Sequence, residues 1–504
     1  MATPLSLSIR TRQDWMPPIR DDGPGSGTIA SSTAWSGLGI GATSALQLVR
    51  SMIFARLLMP EDFGVLGLAN VFTQFILIFA NFGFNQSVIY QKDLGKHDLS
   101  TCFWANVMVD GAAALICTAA ALVTSIFTGD TTTAYVICLL AMQFVFTSAG
   151  SINSSLMRRQ FMFRQTAIVN FSGAVVTFLV AWALVALAKW GVYGLVVGMN
   201  VGTLFMALMN FHYLPWLPSF TFSREAFGRH FRFGRWLLGV SLVTFANGSL
   251  DRVAIGTLLS KVQLGFYEYA SNIPLMLVNT LSRVLNTVLF SAFSSLQDKH
   301  EELTKLLLNV YRYNAMLTYP VLVGIGLVAE DFILVAYGER WLPILVPLRL
   351  FCAVGLMQIY TQPLYILCNG IGKPNLPFRW SLIFLPINLA LIWGGMKLAG
   401  MDGVVAGRLA FPIFMIATLG LQVMHHLKVS WARIFGATLP ASAGCVLMAA
   451  AVLALRTSGL ALPNNDLLRL LLLVGLGAAT YLGFMFVFFR GELLGLVRRL
   501  RPGS

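Results

Sequence analysis

Charged residues inside long apolar runs carry the chemistry of this chain. Arg50 falls in SALQLVRSMIFARLL, Arg252 in ANGSLDRVAIGTLL and Arg283 in NTLSRVLNTVLF, and Arg312, Arg349 and Arg408 have similar surroundings. The acids in such runs are Asp110 (NVMVDGAAAL), Asp251 and Glu268. A charge at the bilayer centre costs about 2.5–3.5 kcal/mol on insertion scales, so such residues face a bundle interior or a wet cavity. The basic set is the larger, and pairing alone cannot neutralise it. Surplus guanidinium suits an anionic substrate, because arginine's planar fork matches phosphate with two hydrogen bonds. Arg50, Arg252 and Arg283 are the candidates for that role. Arg312, Arg349 and Arg408 stand close enough to span ends to extend their heads to an interface. Asp110 and Asp251 are the candidates for coupling to a cation, Na+ or H+; a structural pair with an arginine is the competing role. Asp251 and Arg252 are adjacent and point to different helix faces, so they do not serve as each other's partner.

Other polar groups are weaker signals. Asn81, Asn85 and Gln86 share a helical face and suit either glycan contact or helix–helix hydrogen bonding. The pair His425–His426 reads as solvated at an interface. The six cysteines sit in apolar segments, with no C-x-x-C and no Cys/His metal spacing, so no metal site and no cofactor is expected. Nucleotide-binding and hydrolase signatures are missing, which argues against an enzyme.

The elements that must position these residues are membrane helices. The chain is 57% hydrophobic and 11% charged, against about 25% charged in a soluble protein. Runs long enough to span a bilayer follow one another, with limits near 31–56, 63–88, 99–126, 133–156, 166–188, 192–216, 236–259, 264–288, 306–329, 345–367, 380–398, 403–424, 435–455 and 467–489. The fold class is therefore an all-α polytopic membrane protein of about 14 transmembrane helices. Residues 1–28 read as a disordered cytoplasmic tail, 29–216 as a first lobe, 217–235 as a cytoplasmic linker, 236–424 as a second lobe, and 425–504 as two further spans with a basic cytoplasmic end.

The net charge of +14 reflects membrane topology rather than nucleic acid. Arg158, Arg159, Arg164, Arg224, Arg229, Arg232, Arg235, Arg490, Arg498, Arg499 and Arg501 fall on one side, against only Arg56, Lys189, Lys261, Arg340, Lys397, Arg456 and Arg469 on the other. The positive-inside rule puts both termini in the cytoplasm. A degraded repeat supports the two lobes: Trp35, Thr43, Ala45, Leu57, Leu58, Gly64 and Ala69 recur 201 positions on as Trp236, Thr244, Ala246, Leu258, Leu259, Gly265 and Ala270. In repeated transporters the substrate site lies between the copies.

Four motifs resemble those of bacterial polysaccharide flippases. Ala55, Arg56, Leu58, Pro60, Phe63 and Gly64, followed by Asn81 and Gly83, resemble the family's opening hairpin. SSLMRRQFMFRQTAIVN is similar to its cytoplasmic loop. Leu250, Asp251, Arg252, Ile255, Gly256, Leu264, Gly265, Tyr267 and Ala270 resemble its second-half signature, in which Glu268 departs from a usually small or neutral residue. Ala329, Glu330, Gly338 and Trp341 match a fourth stretch. The chain thus resembles the Wzx/WzxC-like polysaccharide transporters of the multidrug/oligosaccharidyl-lipid/polysaccharide (MOP) exporter superfamily. That resemblance implies a MATE-like fold, two pseudo-symmetric bundles around a central cavity. It implies translocation of undecaprenyl-pyrophosphate-linked oligosaccharides across the bacterial inner membrane, for exopolysaccharide, capsule or O-antigen synthesis, with membrane lipids, a polymerase and a chain-length regulator as partners. The rivals are a MATE-type multidrug antiporter, which needs an acidic cavity, a lipid II flippase, and a membrane polysaccharide polymerase, which needs a large outer loop.

Overall fold

The computed structural model describes residues 26–80, 85, 88–89, 95–297, 299–458 and 463–491. Nearly all of the expected N-terminal tail, Asn81, Gly83, Gln86 and the last basic residues, including Arg498, Arg499 and Arg501, lie outside the described residues. Among the described residues every regular element is helical. The first half holds α1 (Ser26–Leu57), α2 (Pro60–Ala80), α3 (Lys96–Thr128), α4 (Thr131–Arg159), α5 (Phe163–Trp182), α6 (Val192–Tyr213) and α7 (Arg224–Ala254). Then come α8 (Lys261–Ser295), α9 (His300–Leu327), α10 (Ala329–Ala336), α11 (Leu345–Gly370), α12 (Asn375–Gly407), α13 (Ala410–Met415), α14 (Leu421–Leu427), α15 (Trp431–Thr457) and α16 (Asp466–Phe488). Single π-turns extend α5 (Ala183–Leu187) and α7 (Ile255–Leu259) and join α13 to α14 (Ile416–Gly420). Among the described residues, 11 helices are long and apolar enough to cross a membrane, or 12 if α9 and α10, bent by 78° at their junction, form one span. Twelve of the expected spans fall on these helices, while those at 236–259 and 264–288 fall on α7 and α8, which are not among them; α12 is itself two rods, broken at Ala399 and Gly400.

Contacts divide the chain into two units, Met1–Gly256 and Thr257–Ser504. In the first, α3 lies along α4, α4 along α6, α5 along α6 and α1 along α5. α7 packs on α2 and α3 in this unit, although the sequence reading opens the second lobe at 236. The helix also starts earlier than the expected span: the basic stretch from Arg224 to Arg235 is its first turns. In the second unit α8 lies along α11, α9 on α11 and α15, and α16 on α15 and α10.

The cores differ. α3 buries Leu99, Cys102, Asn106, Asp110, Ala113, Cys117 and Ala121, a stripe with the 3–4 spacing of one helix face. Its two ends enter separate apolar clusters, one around Phe144 and Ile137, the other around Ile152, Leu156 and Trp216. The second unit has one large core running from Phe293 and Tyr311 to Phe384, Met415, Ile434 and Met485. Its tyrosines satisfy one another: Tyr311 Oη donates to the Tyr360 carbonyl at 2.9 Å, Tyr319 Oη to Tyr360 Oη at 2.7 Å, and Tyr360 Oη meets Thr438 Oγ1 at 3.1 Å.

The structure extends the repeat. The α5–α6 hairpin turns at Gly191 (φ 58°, ψ −137°) and the break in α12 at Gly400 (φ 58°, ψ −132°), a backbone region that excludes a side chain. Gly191, Gly194 and Gly198 correspond in spacing to Gly400, Gly403 and Gly407. On α6 the small residues let the backbone approach α5 closely: a Cβ on Gly198 would stand 2.6 Å from that of Ala181. The two equivalent breaks α1–α2 and α7–α8 are each locally capped. Pro60 opens α2 with φ preset for a helix, and Asp62 Oδ2 accepts from Met59 N at 2.9 Å. At the second break Ser260 Oγ accepts from Gln263 N at 3.1 Å.

The expected linker begins as a strap bound to the first unit. Asn153 Nδ2 donates to the carbonyls of Leu214 (2.7 Å) and Trp216 (3.1 Å). Trp216 is buried beside Phe103, Trp104 Nε1 donates to Ser219 O at 2.9 Å, and Ser223 N donates to Thr101 Oγ1 at 3.0 Å.

Candidate functional site

In the first unit a polar layer separates the two apolar clusters. Asn106 Nδ2 donates to Asn85 Oδ1 at 3.0 Å and to Ser151 Oγ at 3.1 Å. One helical turn further along α3 lies Asp110, 9% exposed. Among the described residues nothing hydrogen-bonds or ion-pairs with its carboxylate. Burying a carboxylate without a partner carries a large desolvation cost. Asn85, which the sequence offers for glycan contact or helix packing, has its carbonyl engaged in packing.

Asp251 and Arg252 end α7, next to the π-turn. Asp251 is 2% exposed, and its Oδ1 accepts from the backbone N of Arg252 at 2.9 Å. Arg252 is half-buried, and its Nη1 donates back to the Gly248 carbonyl at 3.2 Å. α7 packs on α3, so Asp110 and Asp251 stand on neighbouring helices. Arg50 is half-buried on α1, which packs chiefly on α5. Arg283 belongs to α8 in the second unit, and its side chain lies outside the described residues.

In the second unit the family-like motif residues serve packing. Leu264, Tyr267 and Ala270 are fully buried. Tyr267 Oη accepts from Arg408 Nε at 3.1 Å, so that arginine turns inward rather than to an interface. Arg349 does reach an edge: it is exposed and donates from Nε to Gly326 O at 3.2 Å. Gly338 takes φ +97°, and Trp341 is buried against Tyr269, 4.2 Å between centroids.

Sequence reasoning missed one ionic cluster. Asp331 on α10 is 3% exposed and accepts hydrogen bonds from Arg456 at the end of α15 and Arg469 at the start of α16. Arg469 Nη2 also reaches Asp466 Oδ1 at 2.8 Å. Both arginines read as loop charges in the sequence; the signal was the acidic pair Glu330–Asp331 inside an otherwise apolar stretch. Two described cavities are apolar. One of about 480 Å3 lies between Pro320, Val328, Val452 and Leu473, and one of about 460 Å3 beside Tyr135, Trp190 and Tyr193. Neither gathers the candidate charges.

The family profile described as "Polysaccharide biosynthesis protein" matches residues 53–346, more than half of the chain. The chain belongs to this family. Within it, the chain is 26% identical over 394 residues to the lipopolysaccharide biosynthesis protein WzxC of Escherichia coli (strain K12), covering 76% of this chain and 78% of that protein. It is 26% identical over 362 residues to the succinoglycan biosynthesis transport protein ExoT of Rhizobium meliloti (strain 1021), covering 71% and 72%. Among solved structures, the family member is similar to the lipid II flippase MurJ in an inward closed conformation, with TM-score 0.73, 15% identity, and 91% of this chain and 99% of that one covered. An inward-facing multidrug resistance MATE transporter of the MOP superfamily gives TM-score 0.60 at 14% identity, covering 77% and 95%. The chain therefore has an all-helical, multi-pass membrane fold like that of these two transporters.

Proposed function

We propose that this protein is a flippase that carries undecaprenyl-pyrophosphate-linked oligosaccharide repeat units across the bacterial inner membrane for exopolysaccharide, capsule or O-antigen synthesis. The observation that carries the reading is membership of the polysaccharide biosynthesis family over residues 53–346, together with relatives named for lipopolysaccharide and succinoglycan biosynthesis. The charge inventory fits such a cargo: arginines outnumber acids within the spans, and guanidinium suits a pyrophosphate or acidic sugar. In this reading Arg50, Arg252 and Arg283 meet the anionic part of the substrate. Asp110 and Asp251 take the coupling Na+ or H+. The prenyl tail stays in lipid, both termini face the cytoplasm, and the protein moves its substrate without changing it. A polymerase and a chain-length regulator act after it.

The test is deletion and complementation in the native bacterium. Loss of one surface polymer, with lipid-linked repeat units accumulating inside and growth retained, is the expected result. Loss of viability would point to lipid II instead, and robust efflux of ethidium-type cations would point to a multidrug antiporter. At residue level, Arg252→Ala at normal protein level should reduce polymer export at least tenfold, the size of one charge-assisted contact of about 1.5–3 kcal/mol; unchanged export would remove Arg252 from the site.

A further inference from the structure

At one end of the second unit, three elements bring two imidazoles and an ammonium together. His300 opens α9, Lys373 sits in the turn before α12, and His426 stands near the end of α14. Lys373 Nζ is 3.3 Å from His426 Nε2, and the rings of His300 and His426 meet edge to face with centroids 5.7 Å apart. All three residues are exposed. Their backbones are well held: Gly372 turns the chain at φ +72°, Lys428 closes α14 in the left-handed region at φ 53°, and Trp380 Nε1 on α12 donates to Gln422 Oε1 on α14 at 3.0 Å.

An ammonium has three donors and no acceptor, so Lys373 can bond Nε2 only while that nitrogen keeps its lone pair. An imidazolium there would set cation against cation. The same three elements add His425, Lys428, Arg379 and Lys299. Among the described residues the acids beside His300 are Glu301 and Glu302, and Glu302 is engaged by Lys299 at 3.4 Å. The first turn of α12, directly after Lys373, carries no acid, so the positive end of the helix dipole is not offset there. Among the described residues no three His, Cys, Asp or Glu side chains converge as a metal would require. An oxyanion resolves the conflict: it accepts from Nζ and from a protonated Nε2 at once, converting one weak contact into two charge-assisted hydrogen bonds.

We propose that Lys373, His426 and His300 form a binding site for a phosphate group at this end of the second unit. The group comes either from an anionic phospholipid headgroup or from a soluble phosphate. The test uses the full chain in phosphatidylcholine nanodiscs with and without phosphatidic acid. Native mass spectrometry counts retained phosphatidic acid, and equilibrium dialysis measures orthophosphate binding. The Lys373→Gln/His426→Gln double variant should bind its anion about tenfold more weakly or worse, with an unchanged unfolding temperature because both side chains are exposed. Retention of phosphatidic acid that orthophosphate does not displace assigns the headgroup; orthophosphate binding lost in the variant assigns a soluble ligand. Unchanged binding of both probes in the double variant overturns the site. Should that variant unfold, His300→Gln alone gives the same reading through a smaller loss.

Discussion

Asp110 in the first unit and Asp331 in the second are both buried among membrane-length helices, in opposite circumstances. Asp331 accepts from two arginines on two other helices, whereas among the described residues nothing bonds Asp110. The surroundings follow suit. Around Asp110 the apolar core is split by a layer of amides and hydroxyls, while the second unit's largest apolar cluster runs unbroken and its tyrosines are mutually bonded. A carboxylate held by two guanidinium groups is locked into structure; one without a partner keeps its chemistry for something that comes and goes. Among the described residues the second unit fastens its buried acid by ion pairs and the first does not.

That contrast can be broken by measurement. The largest stability effect is expected at Asp331→Asn, which leaves two arginines facing a neutral amide and should cost about 3 kcal/mol, read as a lower unfolding temperature in detergent. A loss no larger than that of Lys397→Gln, on the exposed Trp393–Lys397 contact, would mean the cluster fastens nothing. Next comes the helix crossing in the repeat: Gly198→Ala should cost about 1–3 kcal/mol through overpacking. Its counterpart Gly407→Ala, whose Cβ would stand 3.5 Å from Leu391, should be neutral or slightly stabilising. Equal effects at the two positions would undo this difference in packing between the two hairpins. Asn106→Leu strands the Asn85 and Ser151 partners and should cost about 1–2 kcal/mol. The smallest effect is expected at Asp110→Asn, within about 1 kcal/mol of wild type because no pair is broken. Yet polymer export in a complemented deletion strain should collapse. A variant that exports normally would return Asp110 to the role of a tolerated buried acid.

The helices were legible in the sequence because a bilayer-length apolar run has few other uses, and the repeat was legible because Leu57–Leu58 and Leu258–Leu259 flank equivalent breaks. Asp110 could be picked out by its isolation in NVMVDGAAAL. Several things could not be read. The placement of α7 in the first unit depends on its packing against α2 and α3, which no local pattern encodes. Arg408 lies close enough to a helix end to snorkel, and its bond to Tyr267, more than a hundred residues away, draws it inward. The Asp331 cluster joins three segments, and the two arginines in it look like ordinary loop residues. In the family-like motif, Gly338 and Trp341 answer to backbone angle and packing, and Asp251 and Arg252 to hydrogen bonds at the end of α7.

The π-turn after Arg252 has a mechanical consequence. One extra residue in a helical turn shifts everything beyond it by roughly 100° in azimuth while leaving the rod unbroken. α7 carries such an insertion at Ile255–Leu259, and α1, its counterpart in the repeat, ends without one. Passing the insertion along the rod by one turn would rotate the residues it crosses without unfolding any of them. The π-turn thus fixes the azimuth of everything that follows it relative to Asp251 and Arg252.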